Sequence, residues 1–281
     1  MKALVKKYTI LKKFPDQVDQ EIDDLVAIEE PLEIRIQHFS IDNWKEDQLL
    51  VTMRTPGNDF DLVIGFLFNE GIISSARDIV KVEHCSENKD NNIVKVQLQQ
   101  DIKFDANQKR NFDINSSCGI CGKQSIDEIK CTSSPISTDN LLLIKESTIF
   151  ELNEKINQLQ VAFKYTGGIH ASAIFDLDGN LECIKEDVGR HNALDKVIGD
   201  YLQSDKSLSN KILLVSGRVS YELCQKAIKA DIPILVAIGA PSSLAIDLAK
   251  EMNLTLCGFT SQNRFNIYND VDRILPSIVG Q

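Results

Sequence analysis

The chain has 281 residues, 43% of them hydrophobic, seven cysteines and a formal net charge of −10. That is enough apolar material for one large or two modest domains, and no apolar run is long enough to span a bilayer. The acidic balance argues against non-specific nucleic-acid binding, which needs a basic face to displace counterions, and otherwise serves solubility.

The first segment, Met1 to Lys13, mixes lysines into its apolar residues and does not read as a secretory signal. With an odd number of cysteines, this predicts a cytoplasmic chain with free thiols rather than a disulfide scaffold. Pro31–Gln37 alternates apolar and polar residues, the pattern of a half-buried strand, with Leu49–Arg54 as its hairpin partner. Thr55-Pro56-Gly57 breaks the chain. A helix capped near Asn58 or Asp59 then carries Leu62, Val63, Phe66 and Leu67 to Gly71. Strands are expected at Ile79–His84 and Ile93–Leu98. Asp101–Asn115 is polar and reads as a loop, and Cys131-Thr132-Ser133-Ser134-Pro135 is the best candidate for a boundary.

Beyond that boundary the pattern changes. Thr148 and Glu151 form a candidate capping box. Ile149, Leu152, Ile156, Leu159 and Phe163 recur at helical spacing. Strands at Ile169–Phe175 and Leu181–Lys185 flank the turn Asp178-Gly179-Asn180, and a helix follows from about Asn192 to Leu202. Ile212–Val215, Ile234–Ile238 and Leu254–Cys257 read as buried strands, alternating with helices over Tyr221–Lys229 and Ser243–Met252. Apolar strands alternating with amphipathic helices imply a sheet covered on both faces. The fold expected is therefore α/β: a smaller β-rich α+β part over 1–135, and an α/β domain over 136–281.

The densest chemistry lies in Ser117-Cys118-Gly119-Ile120-Cys121-Gly122-Lys123. Two thiols two residues apart can reach each other or a shared partner, and a nearby cation favours the reactive thiolate. The motif is open to four readings: half of a structural zinc site, a dithiol redox centre, a sulfur-carrying nucleophile, or coincidence. Zinc usually takes four ligands, often from two such pairs, and Cys131 stands alone. A thioredoxin-like centre is expected in a βαβ unit, whereas this pair follows a polar loop. Sulfur transfer fits the local physics best. An exposed thiolate accepts sulfane sulfur, and the second thiol can attack the persulfide to release it. The loop is expected to be mobile and metal-free.

Thr166-Gly167-Gly168-Ile169-His170-Ala171 and Glu186-Asp187-Val188-Gly189-Arg190-His191-Asn192 hold two of the four histidines. His170 reads as a strand histidine, and Glu186 to Asn192 as an elaborate helix cap. Alternatively Arg190, His191 and Lys196 bind phosphate, helped by the helix N-terminus. Zinc deaminases place a glutamate after their histidine ligand and a Cys-x-x-Cys downstream. Here Ser172 occupies the glutamate position and the cysteines lie upstream, which disfavours deaminase chemistry.

These segments, with Glu29–Ile34, Met53–Gly57, Gly65–Gly71, Glu186–Lys196, Ser216-Gly217-Arg218 and Ala240–Ala245, resemble the FdhD family of formate dehydrogenase accessory sulfurtransferases. The resemblance runs along most of the chain. It implies a cytidine-deaminase-like three-layer domain lacking the deaminase zinc, and a homodimer. The implied activity is that of a sulfurtransferase. A cysteine desulfurase would supply persulfide sulfur, and the acceptor would be the molybdenum, or tungsten, bis(pyranopterin guanine dinucleotide) cofactor destined for formate dehydrogenase. By position, Cys118 would bear the persulfide and Cys121 would be its partner. Phe259, Thr260, Ser261, Gln262, Asn263 and Arg264 match the family's cofactor-binding stretch, with Arg218 and His191 as further contributors. Ser261 stands where the family usually has an arginine, and Arg264 remains. A non-catalytic cofactor chaperone for formate dehydrogenase and a structural zinc protein are the alternative functions.

Overall fold

The computed structural model describes residues 4–15, 17–86, 90–104, 133–138, 142–159 and 161–276. Cys118, Cys121, Cys131 and most of the polar run from Asp101 to Asn115 lie outside the described residues.

The first part opens with an antiparallel hairpin of its own, β1 (Val5–Lys12) and β2 (Gln20–Ala27). The sequence pattern does not announce it, because its residues are mostly exposed on both faces. Next come β3 (Glu30–Ser40), β4 (Asn43–Arg54), helix α1 (Asp59–Asn69), β5 (Ile79–His84) and β6 (Ile93–Leu98). These last four strands form one sheet in the order β4-β3-β6-β5, with β3 parallel to β6. Alternation along β3 sends Leu32, Ile34 and Ile36 to one face. There they meet Val94, Val96 and Leu98, and Leu62, Val63 and Leu67 of α1. Asn58, at φ 55°, turns the chain into α1, and Gly71, at φ 76°, turns it out. The left-handed region costs glycine nothing and asparagine little.

The second part contains β7 (Ile144–Lys145), α2 (Glu146–Leu159), α3 (Val161–Thr166), β8 (His170–Phe175), β9 (Leu181–Asp187) and α4 (Arg190–Gln203). It continues with β10 (Ile212–Val215), α5 (Tyr221–Lys229), β11 (Ile234–Ala237), α6 (Ser243–Glu251), β12 (Thr255–Gly258), β13 (Asn266–Asn269) and β14 (Ile274–Leu275). Six strands make one sheet in the order β13-β12-β11-β10-β8-β9. Strands β10, β11 and β12 run parallel, and β8, β9 and β13 are antiparallel to their neighbours. Leu213, Val215, Leu235 and Ala237 pack against α4, α5 and α6 through Leu194, Val197, Leu223, Ala227, Ala245 and Leu248. On the opposite face Ile212, Leu214, Ile234 and Val236 meet Ile149, Leu152 and Ile156 of α2. The sheet is thus covered on both sides, as its continuous apolar strands require.

Two local expectations are corrected. Helix α2 begins at Glu146, so Thr148 lies inside its first turn rather than capping it. Its methyl group packs against Gly179 in the β8–β9 turn. Phe163 is exposed and belongs to the separate helix α3, off the stripe formed by Ile149, Leu152 and Ile156. The side chain of Leu159 lies outside the described residues.

The two parts meet where α1 crosses α4. A Cβ on Gly65 would land in the Asp195 carbonyl, and one on Gly199 in the Asp61 carbonyl. These glycines let the two backbones touch. Alanine normally gains about 1 kcal/mol over glycine inside a helix, but overpacking a tight contact costs about 1–3 kcal/mol or more. Gly65→Ala and Gly199→Ala should therefore lower stability in urea unfolding. A gain of about 1 kcal/mol in either would mean that the helices do not touch there.

Candidate functional site

The parallel strands β10, β11 and β12 end side by side, and open sheets of this kind bind ligands beyond their carboxyl ends. Three loops leave from that edge and are joined by backbone hydrogen bonds. Gly239 N–H donates to the Gly217 carbonyl (3.3 Å), Phe259 N–H to the Gly239 carbonyl (3.1 Å) and Val219 N–H to the Ala240 carbonyl (3.0 Å). The approach is close enough to require glycine at 239, where a Cβ would sit 2.8 Å from the backbone of Gly217 and Arg218. Helices α5 and α6 start here, capped by Ser220 and Ser242, whose hydroxyls accept from Leu223 N–H and Ala245 N–H. Helix α4 starts at the same end behind Gly189, because His170 opens β8 opposite Asp187, the last residue of β9. Three helix N-termini at one edge of a sheet favour an anion.

The expected binding residues all fall on this edge. Phe259, at φ 52°, is exposed, and Arg218, Gln262, Asn263 and Arg264 are exposed beside it. Thr260 is buried, and its hydroxyl has no hydrogen-bond partner among the described residues. Ser261 closes the turn through its N–H (2.8 Å) and its hydroxyl (3.2 Å), both donating to the Arg264 carbonyl.

His191 lies in the first turn of α4, because the helix begins at Arg190 rather than Asn192. Its Nε2 is 3.3 Å from the Ser220 hydroxyl and 3.1 Å from a Glu222 carboxyl oxygen, so it makes these contacts with the start of α5. Burial, reinforced by Lys226, Arg190 and His170, pushes it down to about 3, and the ring is neutral at ordinary pH. His170 and Arg190 are additional residues of this edge, and both border Gly217. Burial first, and Arg190 second, pull the His170 ring below its usual range against the pull of Asp187. The Nε of Arg190 is buried without a partner among the described residues. Spacing could raise Arg190 as a candidate only together with its neighbours. Its proximity to Gly217 comes from the pairing of β8 with β10.

Lys196 does not join this group. It is buried and paired with Asp187 (2.8 Å), and it also donates to the Thr55 carbonyl (2.9 Å). Around the pair, Thr55 N–H donates to Asp187 (3.1 Å), Val188 N–H to the Thr55 hydroxyl (3.1 Å), and the Asn192 amide to the Met53 carbonyl (2.8 Å). Asp187 also accepts from Gly189 N–H (2.8 Å), but it does not cap α4 as expected, because the helix starts behind Gly189 with no side-chain cap. The segments Met53–Gly57 and Glu186–Lys196 are therefore two sides of one buried junction. Arg54 forks onto Asp59 (2.9 and 3.1 Å) and fixes the near side.

Four of the seven cysteines, Cys85, Cys183, Cys224 and Cys257, are described, and all four are buried and free. Burial pushes the thiols of Cys183, Cys224 and Cys257 up to about 12, which suppresses thiolate chemistry. Cys118 and Cys121 lie outside the described residues, so the structure does not place them against the edge of the sheet. Among the described residues no cluster of His, Cys, Asp or Glu is built to hold a metal ion, and no helix is long and apolar enough to cross a membrane.

Residues 27–275 match the model of the FdhD/NarQ family. The chain belongs to this family. Relatives include the sulfur carrier protein FdhD of Streptomyces coelicolor, 41% identical with full coverage of both chains (100% and 100%). The protein of the same name from Sulfurisphaera tokodaii is 41% identical over 96% of this chain and 99% of the relative. The fold is similar to a crystal structure from Desulfotalea psychrophila described as a putative formate dehydrogenase accessory protein. The TM-score is 0.73 at 24% identity, covering 97% of this chain and 100% of the other.

Removing one partner of a buried ion pair strands the other charge, at a cost of about 3–5 kcal/mol. Lys196→Met should lose about that much in chemical denaturation. A loss under about 1 kcal/mol would return Lys196 to the candidate ligand contacts.

Proposed function

We propose that this protein is a sulfur carrier that acts through a cysteine persulfide and serves the maturation of formate dehydrogenase. Family membership over a span that includes Cys118 and Cys121 carries the reading. It is supported by relatives named as sulfur carrier proteins and by the burial of the four described cysteines, which leaves those thiols poorly suited to the work. Cys118 receives sulfane sulfur from a cysteine desulfurase. The acceptor is the molybdenum or tungsten bis(pyranopterin guanine dinucleotide) group, which is a substrate of this protein and not its resident cofactor. Cys121 releases the sulfur by attacking the inner sulfur of the Cys118 persulfide, so that a disulfide forms between the pair and the outer sulfur leaves as sulfide. The disulfide must then be reduced by a cellular dithiol before the next turnover.

The guanine dinucleotide fits the edge formed by β10, β11 and β12. Its diphosphate would meet the helix starts of α5 and α6 and the side chains of Arg218 and Arg264. Phe259, exposed beside them, offers a ring face to the base. Thr260 has an unused hydroxyl, and Gln262 and Asn263 line the tip of the same loop. In this reading the six-stranded, two-sided sheet is a cytidine-deaminase-like platform. Ser172 is buried on it and no carboxylate stands in its place, consistent with binding rather than deamination. The acidic chain acts in the cytoplasm as a homodimer.

Two measurements test this. After incubation with a desulfurase and cysteine, mass spectrometry should find a persulfide on Cys118 in the wild type and in Cys121→Ala, but none in Cys118→Ala. Undiminished labelling in the double variant would move the chemistry to another cysteine, and binding of the cofactor without any persulfide would favour a chaperone. In calorimetry with guanosine diphosphate, Arg264→Ala should weaken binding by about tenfold or more, the scale of one charge-assisted contact. Equal affinity would remove Arg264 from the site.

A further inference from the structure

Glu222 sits in the first turn of α5, with its side chain 12% exposed, and the His191 side chain facing it is 13% exposed. One carboxyl oxygen lies 3.1 Å from His191 Nε2, yet it has no hydrogen bond among the described residues, and the other lies 3.7 Å from Lys226 Nζ. The same imidazole nitrogen is hydrogen-bonded to the Ser220 hydroxyl at 3.3 Å. An ionised carboxylate oxygen buried without a donor is costly. Protonating the carboxyl removes that cost, because a neutral carboxyl buries no charge. Burial without a donor therefore favours the state in which Glu222 keeps a proton beside the neutral imidazole, and the pair carries no net charge.

We propose that Glu222 and His191 form a proton-holding pair, and that binding of a phosphate anion at the carboxyl edge of the sheet is coupled to keeping one proton on it. The proposal rests on the nucleotide-binding reading above. The proton comes from solvent and returns there on release, and no bond to the ligand is made or broken. His191 shares the first turn of α4 with Arg190, and Arg190 and His170 border Gly217. A negative charge on Glu222 would stand behind the helix starts that face the anion and oppose it. The charged groups facing the pair are Arg190 and Asp195 from α4, Lys226 from α5, Glu70 from the end of α1 and His170 from β8. Burial, opposed by Lys226 and Arg190 and aided by Asp195 and Glu70, pushes the Glu222 carboxyl up to about 7. The change of charge then falls in the working range of the cell.

The test is calorimetry of guanosine diphosphate binding to the wild type and to Glu222→Gln between about pH 6 and 9, each in two buffers of different ionisation enthalpy. The nucleotide's own phosphate titration is common to both proteins and cancels in the comparison. Wild-type affinity should fall by up to about tenfold per pH unit above about 7 relative to the variant, with extra proton uptake approaching one per nucleotide. Identical pH profiles and identical uptake would overturn the coupling. If the nucleotide binds to neither protein, the binding reading itself fails. The pair is then judged in the wild type alone by carboxyl carbon NMR. A Glu222 midpoint near about 7 supports proton holding, and one below about 5 overturns it. The same reading gives the sign of a stability effect. The folded chain keeps a proton that the unfolded chain releases, so stability from this group falls as pH rises from the ordinary carboxyl range to about 7. The slope should disappear in Glu222→Gln.

Discussion

The buried pair of Asp187 and Lys196 is the interaction on which the rest of the architecture depends. It closes the end of β9 against α4 and, through Thr55, ties both to the loop that follows β4. A charge pair this deep is not a source of net stability, because desolvation roughly offsets the attraction. Its value lies in direction. Specific backbone atoms around Thr55 and Gly189 take up further lone pairs and protons of the two groups, so the two parts of the chain dock in one register. The glycine contact between α1 and α4 works in the same direction. Both elements come close enough for backbones to touch, which a slid or rotated packing would not allow.

This junction also fixes the candidate site. Helix α4 is held at its first turn by Asp187, Asn192 and Gly189, so Arg190 and His191 are presented at the carboxyl edge of the sheet from a rigid start. A second buried pair, Asp195 with Lys226 (2.6 and 2.8 Å), locks α4 to α5, and Asn69 reaches the same carboxylate from the end of α1 (2.6 Å). The helix starts at this edge are therefore spaced by ion pairs one turn or more behind them. The residues exposed at this edge and those that set its geometry are different residues, although they share the same sequence motifs.

The alternation of strands and helices from Ile212 to Gly258 is legible in the sequence because each strand is a short, wholly buried apolar run and each helix has a serine cap. The β3–β4 hairpin and α1 are legible for similar reasons, from period-two alternation and a turn at Pro56-Gly57. The polar edges are not. Strands β1, β2 and β13 expose most of their side chains or bury none fully, and a strand that buries nothing leaves no periodic trace. Thr148 and Glu151 have the spacing of a cap, but the Thr148 methyl is used for packing against a distant turn. Lys196 misleads for a related reason. A lysine so close in sequence to Arg190 and His191 looks like part of a basic cluster, and nothing in its spacing reveals that its helix turns it inward toward Asp187. The segment Phe259–Arg264 carries no physical signature by itself. Its candidacy comes from resemblance, and the structure adds that it leaves the sheet where an anion is favoured.

The three loops at the carboxyl edge are stitched together by main-chain hydrogen bonds. Main-chain bonds do not depend on which residue supplies them. The frame of the site is thus separate from its lettering: exposed positions such as Gln262 and Asn263 are free to vary while the frame keeps its shape. Ser261 illustrates this separation, since its N–H and hydroxyl both serve the turn that carries Gln262 and Asn263. Substitutions at such exposed positions can change the chemistry presented at this edge without rebuilding the fold beneath it.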